Sequence, residues 1–445
     1  MPISIRRGLA SILPLAALTC LAASASDGAG VPAAPRARAP DESHPREPPG
    51  DGVLDLPREV ARVTFGAVGD VLPHVSVKAS AAAKNRRAPG GASVNHDGFD
   101  SLFTDVAKDL SATDLTFANL ETPISPSGDP GAIEFHFNAP PALLASLKAA
   151  GIGLVSFANN HVFDQGPKGF AESMDELDAA GLAYAGAGRT REVARRGLRL
   201  QKNGIRIAVL GAAQFFNNPV DEADPRAPHA NKTDDPEATL EAVRRARADA
   251  DFVVLAVHWG AEYQSAPRHA EVELAHQLFE AGADVVLGTH PHVLQPLERY
   301  RAADGRSCLV AYSLGNFVSN QSRLYVHGKS AEKVGEPRDG ALLRFAIVKR
   351  DRGESPSRAE LADVSFVPLW TDNTRIKKGG REIPEIEVVS IPRALERARG
   401  ALEKLAASGA KAGAEAGEIR KRIALLERRR ALIEARLGRE FMAVR

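Results

Sequence analysis

The sequence predicts an α/β layered fold, and two features carry that reading. Short Val- and Leu-rich runs recur from Arg62 onward, each ending in polar residues: "RVTFGAVGD", "DLTFANLE", "GLVSFANNH", "RIAVLGAAQ", "DFVVLAVHWG", "DVVLGTHPH" and "CLVAYSLGNF". Runs this short and apolar match strands buried on both faces. Helical stretches with clear punctuation separate several of them, and such alternation implies sheets covered by helices.

The chain has 445 residues, enough for one large α/β domain with appendages. Residues 1–25 read as a secretory signal: Arg6 and Arg7, an apolar stretch from Leu9 to Ala22, then Ala23-Ser24-Ala25. That stretch is short for a membrane span. "ALTC" before Leu21 departs from the usual lipid-anchor pattern at two positions, so a lipid anchor or an uncleaved anchor ranks below secretion across the inner membrane, to a periplasmic or cell-surface location. Removing the signal leaves Cys308 as the last cysteine, so no intrachain disulfide is available. Residues 26–57 carry many prolines and few large apolar groups, and are expected to form a disordered tether.

The folded domain is expected over residues 58–371. "APPALLASLKAAG", "PKGFAESMDELDAAG" and "PRHAEVELAHQLFEAG" each begin near Pro and end in Gly, as helices do. "GALLRFAIVKR" and "DVSFVPLWT" supply later strands, with closure near Thr371. Residues 372–445 then read as a linker and two amphipathic helices, with Ile419, Ile423, Leu426 and Ile433 on one stripe. Those helices either dock on the domain as a hairpin or mediate oligomerisation. Lys+Arg 57 against Asp+Glu 56 leaves a formal charge of +1, which gives no basic field for nucleic acid.

The polar residues after the strands are Asp70, His74, Glu121, Asn160, His161, His258, His290 and His292. Ligands bind beyond the carboxyl ends of strands in open α/β sheets. Mixed oxygen and imidazole donors suit Mn²⁺, Zn²⁺ or Fe²⁺ rather than a thiolate or all-oxygen site. Two such ions roughly 4 Å apart need a bridging carboxylate. Each motif also has an ordinary reading. Asp70 can cap a turn, Asn159-Asn160 can be turn chemistry, and His161 can be a satisfied core histidine. His290 and His292 alternate as strand residues on one face would. Asp164 is placed to orient His161, and Glu262, Tyr263 and Asn316 are candidates for substrate contact or support.

Taken in order, "GDVLPH", "ATDLTFANLETPIS", "SFANNHVFDQG", "LAVHWGAEY", "AHQLFEAGADVVLGTHPHVLQPLE" and "YSLGNF" resemble the successive motifs of the bacterial capsule synthesis protein CapA family, the poly-γ-glutamate biosynthesis proteins. The resemblance runs from Val63 to Val318 and more weakly to Leu369. It implies a four-layered α/β/β/α sandwich of the metallo-dependent phosphatase type, with two divalent transition-metal ions at the strand ends. By that resemblance Asp70 is the first aspartate ligand and Glu121 stands where phosphatases carry a bridging aspartate. Asn160, His258, His290 and His292 complete the ligands, and His161 assists the leaving group. His74 stands four residues after Asp70, where phosphatases place a histidine two after it.

Three functional readings follow. The first is a metal-dependent hydrolase or transferase acting on an extracellular polymer or its precursor. The second is a non-enzymatic assembly or export factor working with a membrane synthase. The third is a general periplasmic phosphoesterase.

Overall fold

The computed structural model describes residues 58–442, apart from 132–134, 219, 221–222, 352–357, 379 and 408–412. The expected signal and tether lie outside the described residues. Two sheets form the centre. The first runs, edge to edge, Arg381–Ser390, Ala359–Lys378, Asp339–Asp351, Arg58–Val71, Leu115–Leu120, Leu154–Ser156 and Ala183–Ala185. Asn316–Val318 pairs alongside the end of Arg58–Val71. The strands from Arg58–Val71 to Ala183–Ala185 are parallel, and the other flank is antiparallel. The second sheet runs Leu297–Arg301, Ser307–Ala311, Val285–Thr289, Phe252–His258, Ile205–Ala213 and Leu198–Lys202. Its four inner strands are parallel.

Side-chain alternation makes the layers. Val63, Phe65 and Ala67 point to one side of the first sheet and pack against Ile207, Val254 and Leu287 of the second. The opposite face of the first sheet offers Ala118, Leu120 and Val155 to Leu143, Leu147, Phe170 and Met174 of the helices Ala142–Ala149 and Gly166–Ala180. The outer face of the second offers Leu210, Val253, Leu255 and Val286 to Val243 and Leu278 of the helices Pro236–Asp249 and His269–Ala281. The order is helix, sheet, sheet, helix: the four-layered α/β/β/α sandwich.

The sheet does not close at Thr371. Ala359–Lys378 continues past it and pairs antiparallel with Arg381–Ser390, where a linker was expected. Alternation is confined to Glu385–Val388, with Ile386 and Val388 turned inward and Glu387 between them, so the period of 2 is short. The helices Ile391–Ala407 and Gly413–Leu437 then dock on the chain's own sheet. Leu426, Ile433 and Leu437 join the inter-sheet core. Arg429, fully buried, donates from Nε to Asp339 Oδ1 at 2.8 Å and from Nη1 to Glu332 Oε2 at 2.9 Å. Its guanidinium also lies 5.4 Å from the Trp370 ring. Cys308 is buried in the second sheet, and burial pushes its thiol up to about 12, so it is inert.

Glycine allows the strand ends to close on one another. A Cβ on Gly69 would meet Gly315 O at 1.8 Å, and one on Gly288 would meet Tyr312 O at 2.0 Å. Both obstacles are backbone, which cannot swing aside. Gly288→Ala is therefore expected to destabilise by roughly 3 kcal/mol or more. Gly153→Ala, with open space at its Cβ, should stay within about 0.5 kcal/mol of the parent. Equilibrium urea unfolding of the two variants checks the contrast.

Candidate metal centre

The carboxyl ends of both sheets converge on one cluster. Asp70 is the penultimate residue of Arg58–Val71, and its N–H donates to Gly315 O at 3.0 Å. Glu121 follows directly on Leu115–Leu120, and its N–H donates to Val71 O at 3.1 Å. His258 closes its strand, while His290 and His292 follow Thr289. Among the described residues, three groups of donors lie within metal-binding reach: Glu121 with His258 and His290, Asp70 with Glu121 and His292, and Glu262 with His290 and His292. Glu121 belongs to the first two, the place a bridging carboxylate takes.

The hydrogen bonding leaves gaps where ions would sit. Both carboxylate oxygens of Glu121 are buried without a partner among the described residues, as is His290 Nδ1. An unpaired buried carboxylate is costly, and a native fold keeps one for a reason. The surrounding donors are already fixed. Asn119 Nδ2 donates to Asp70 Oδ1 at 2.8 Å. His292 Nδ1 lies 3.2 Å from Asp70 Oδ2 and 3.1 Å from Asn316 Oδ1, which turns Nε2 toward Glu121 Oε1 at 3.9 Å. His258 Nδ1 lies 3.0 Å from Thr289 Oγ1, and its Nε2 faces Asn160 Oδ1 at 2.9 Å and Glu121 Oε1 at 3.5 Å. Outer contacts of this kind orient metal-binding imidazoles. The donor set thus fits divalent transition metals.

Charge sorts the groups. Burial pushes Glu121 well above the usual carboxylate range, and the Asp70 charge adds to it. Burial also drives His258 down to about 3 and His290 down to about 2, so both rings keep a free lone pair at neutral pH. Burial opposes the charged form of His292 too, but the carboxylates of Glu121 and Asp70 outweigh it and raise the ring to about 9. Burial would raise Asp70; the hydrogen bond and charge of His292 hold it low instead.

His161 stands beside this cluster and in none of the three donor groups. Its Nδ1 lies 2.8 Å from Asp164 Oδ2. That carboxylate also accepts from Phe137 N at 2.8 Å and from Asn218 Nδ2 at 3.0 Å. A carboxylate accepts only, so His161 Nδ1 carries a hydrogen and Nε2 is the working atom. Asn217 Nδ2 is 3.5 Å from it, and the Phe137 ring packs edge-on against the imidazole at 4.5 Å.

The family model described as bacterial capsule synthesis protein PGA_cap matches residues 64–321, more than half of the chain. The chain belongs to this family. It is 29% identical over 290 residues to the PGA biosynthesis protein CapA of Bacillus subtilis, covering 64% of this chain and 72% of that one. It is also 29% identical over 306 residues to the capsule biosynthesis protein CapA of Bacillus anthracis, covering 66% of each. A probable polyglutamine synthesis accessory protein of Mycobacterium tuberculosis is 25% identical over 290 residues, with 61% of this chain and 70% of that one covered. TT1561 of Thermus thermophilus overlaps 63% of this chain and 93% of that one at 10% identity and a TM-score of 0.34, too loose an overlap to carry weight.

In this capsule synthesis family member, Asp70, Glu121, Asn160, His258, His290 and His292 come together as a single cluster, with His161 and Asp164 at its edge. Two residues take other places. His74, expected as a ligand, is in none of the donor groups. The chain turns at Pro73 into the helix Val75–Lys84, which carries the ring onto Phe137 at 5.3 Å, and its Nδ1 takes the N–H of Asn320 at 3.3 Å. Asn316, expected to meet substrate, is buried, and its amide is spent on His292 O, Gln321 Oε1 and Pro337 O, so it holds His292 in place. Glu262, exposed, joins His290 and His292 as a possible donor rather than only a substrate contact. His290 and His292 do converge, but not by strand alternation. The strand stops at Thr289, and both histidines have positive φ, 98° and 57°, in a turn around Pro291.

Asn119, Thr289, Asn217 and Asn218 were not singled out from the sequence. Asn119 was within reach, since it lies two residues before Glu121 and shares its face by alternation. The asparagine pair sits in a loop, where no period marks orientation.

Filling the centre must displace the protons that the Glu121–His292 pair retains at neutral pH. Metal uptake at pH 7 is expected to release at least one proton per chain, and affinity should rise with pH until His292 titrates. Calorimetric titration with Mn²⁺ or Zn²⁺ in two buffers of different ionisation enthalpy reads the proton count; no release would contradict this charge assignment.

Proposed function

We propose that the chain works outside the cytoplasm in capsule or poly-γ-glutamate biosynthesis, as a metal-dependent hydrolase or transferase acting on the polymer or its precursor. The names of its relatives support the pathway. The leader-like N-terminus supports the location, and no helix among the described residues is long and apolar enough to cross a membrane. The observation that carries the chemistry is Glu121, buried, with neither oxygen hydrogen-bonded among the described residues, and common to two donor groups.

Asp70, Glu121, Asn160, His258, His290 and His292 would hold the ions, with Glu262 on the exposed side. Divalent ions bound there supply water activation and charge stabilisation at the scissile centre. The chain's own contribution is proton control. Asp164 fixes the His161 tautomer, and a proton held at Nε2 is aimed at the leaving group. Phe137 packs on the ring and limits its rotation. Asn316 and Thr289 keep the two flanking imidazoles in register. This arrangement serves an amide or a phosphoester equally. The C-terminal helices, which as free amphipathic elements would favour an assembly role, are spent on the chain's own sheet through Arg429.

The test is turnover by the metal-loaded chain on γ-glutamyl oligomers and on simple phosphoesters. Hydrolysis lost on chelation is expected, and His161→Asn should lower kcat by about 10²-fold or more with KM and metal content unchanged. A substrate whose leaving group needs no proton should recover most of that loss. A fully loaded chain that turns over neither class would sink the enzyme reading.

A further inference from the structure

The family match ends at residue 321, well before the helix Gly413–Leu437. That helix nevertheless reaches the surroundings of the metal centre through one side chain, Arg436. Its Nη1 donates to Ser265 O at 2.9 Å and to Leu294 O at 3.3 Å, and its Nη2 donates to Glu336 Oε1 at 3.2 Å. A guanidinium presents several donors in one rigid plane, which suits it to acceptors on separate segments.

Each acceptor belongs to a different part of the site. Ser265 closes the turn that carries Glu262 and Tyr263, and Leu294 closes the turn that carries His290 and His292. Glu336 precedes Pro337, whose carbonyl accepts from Asn316 Nδ2 at 2.8 Å. Asn316 in turn holds His292, with Oδ1 at 3.1 Å from the ring Nδ1. One side chain thus joins both donor-bearing turns and the segment behind Asn316.

Those turns need holding. Tyr263, His290 and His292 have positive φ, 59°, 98° and 57°. None is glycine, and backbone of this kind persists where its surroundings over-determine it. The two turns are stitched to each other, by Tyr263 N on Pro291 O at 2.8 Å and by Gln295 Nε2 on Gln264 O at 2.8 Å. Arg436 adds a tie from outside the pair. Its own helix is fixed from behind, because Ile433 and Leu437 sit in the inter-sheet core.

We infer that Arg436 is a positioning residue of the metal centre, acting through the two turns to set where Glu262, His290 and His292 place their donor atoms. The inference rests on the metal-centre reading. It makes the C-terminal helix a working part of the site rather than an appendage to the fold.

The experiment compares full-length wild type, Arg436→Met, Arg436→Lys and Arg430→Met. Methionine keeps an unbranched apolar stem and removes the guanidinium. Arg430, paired with Glu434 at 2.6 Å on the same helix, is the control for a lost ion pair there. Two quantities are read: Mn²⁺ affinity by calorimetry, and amide hydrogen exchange of the metal-free chain. Arg436→Met should weaken Mn²⁺ binding by roughly tenfold or more, as loss of an outer contact to metal ligands does. It should also speed exchange at Tyr263 and His290 while the strand Phe252–His258 keeps wild-type protection. Arg436→Lys retains a cationic donor and should recover most of the affinity, and Arg430→Met should match wild type in both readouts. Wild-type affinity in Arg436→Met, unchanged exchange in the two turns, or an equal loss in Arg430→Met overturns this inference alone. A wild type that takes up no Mn²⁺ overturns the metal reading and this inference with it.

Discussion

The strand ends of both sheets are arranged around one costly group, the Glu121 carboxylate. It is buried at the point where the two sheets converge, and neither oxygen has a hydrogen-bond donor among the described residues. Ionised and unpaired, such a group costs several kcal/mol by desolvation. A proton relieves part of that, and bound cations relieve more. The neighbours are consistent with the second outcome. His258 and His290 are kept neutral by burial, and His292 is turned by Asn316 and Asp70 so that its Nε2 faces Glu121. A site meant merely to neutralise one carboxylate needs a single cation, not three imidazoles.

The sandwich explains how distant segments can build this. Asp70 and Glu121 belong to the first sheet, His258 and the two later histidines to the second. Glycines at 69 and 288 let backbone pass within 2.0 Å of where a side chain would begin, so the strand ends draw together. The positive φ of His290 and His292 is the local strain of aiming both rings from one short turn. Asparagines fill the layer behind the donors. Asn119 bridges Asp70 and His258, and Asn159 ties that layer to Leu120 O at 2.7 Å.

Much of this was legible in the sequence because strands buried on both faces leave a plain signature, and their polar ends stand out against it. Asp70, Glu121, Asn160, His258, His290 and His292 were all readable that way. What escaped was set by context. His74 has the right chemistry and proximity in sequence, but the turn at Pro73 sends it to Phe137. Asn316 looks like a contact residue until its register opposite Asp70 is known. The strand Arg381–Ser390 passes for a linker because Pro384 and several glutamates mask its alternation. The docking of the C-terminal hairpin was legible, but its buried Arg429 was not, because charge patterning alone reads an arginine as surface.

The most direct measurement is the metal content of the purified chain by elemental analysis, beside a folded Glu121→Gln variant. The account predicts about two transition-metal ions per chain in the parent, as a shared carboxylate between two donor groups requires, and loss of bound metal in the variant. A parent chain that takes up no metal after incubation with Mn²⁺ or Zn²⁺, or a variant that holds metal as the parent does, would contradict it.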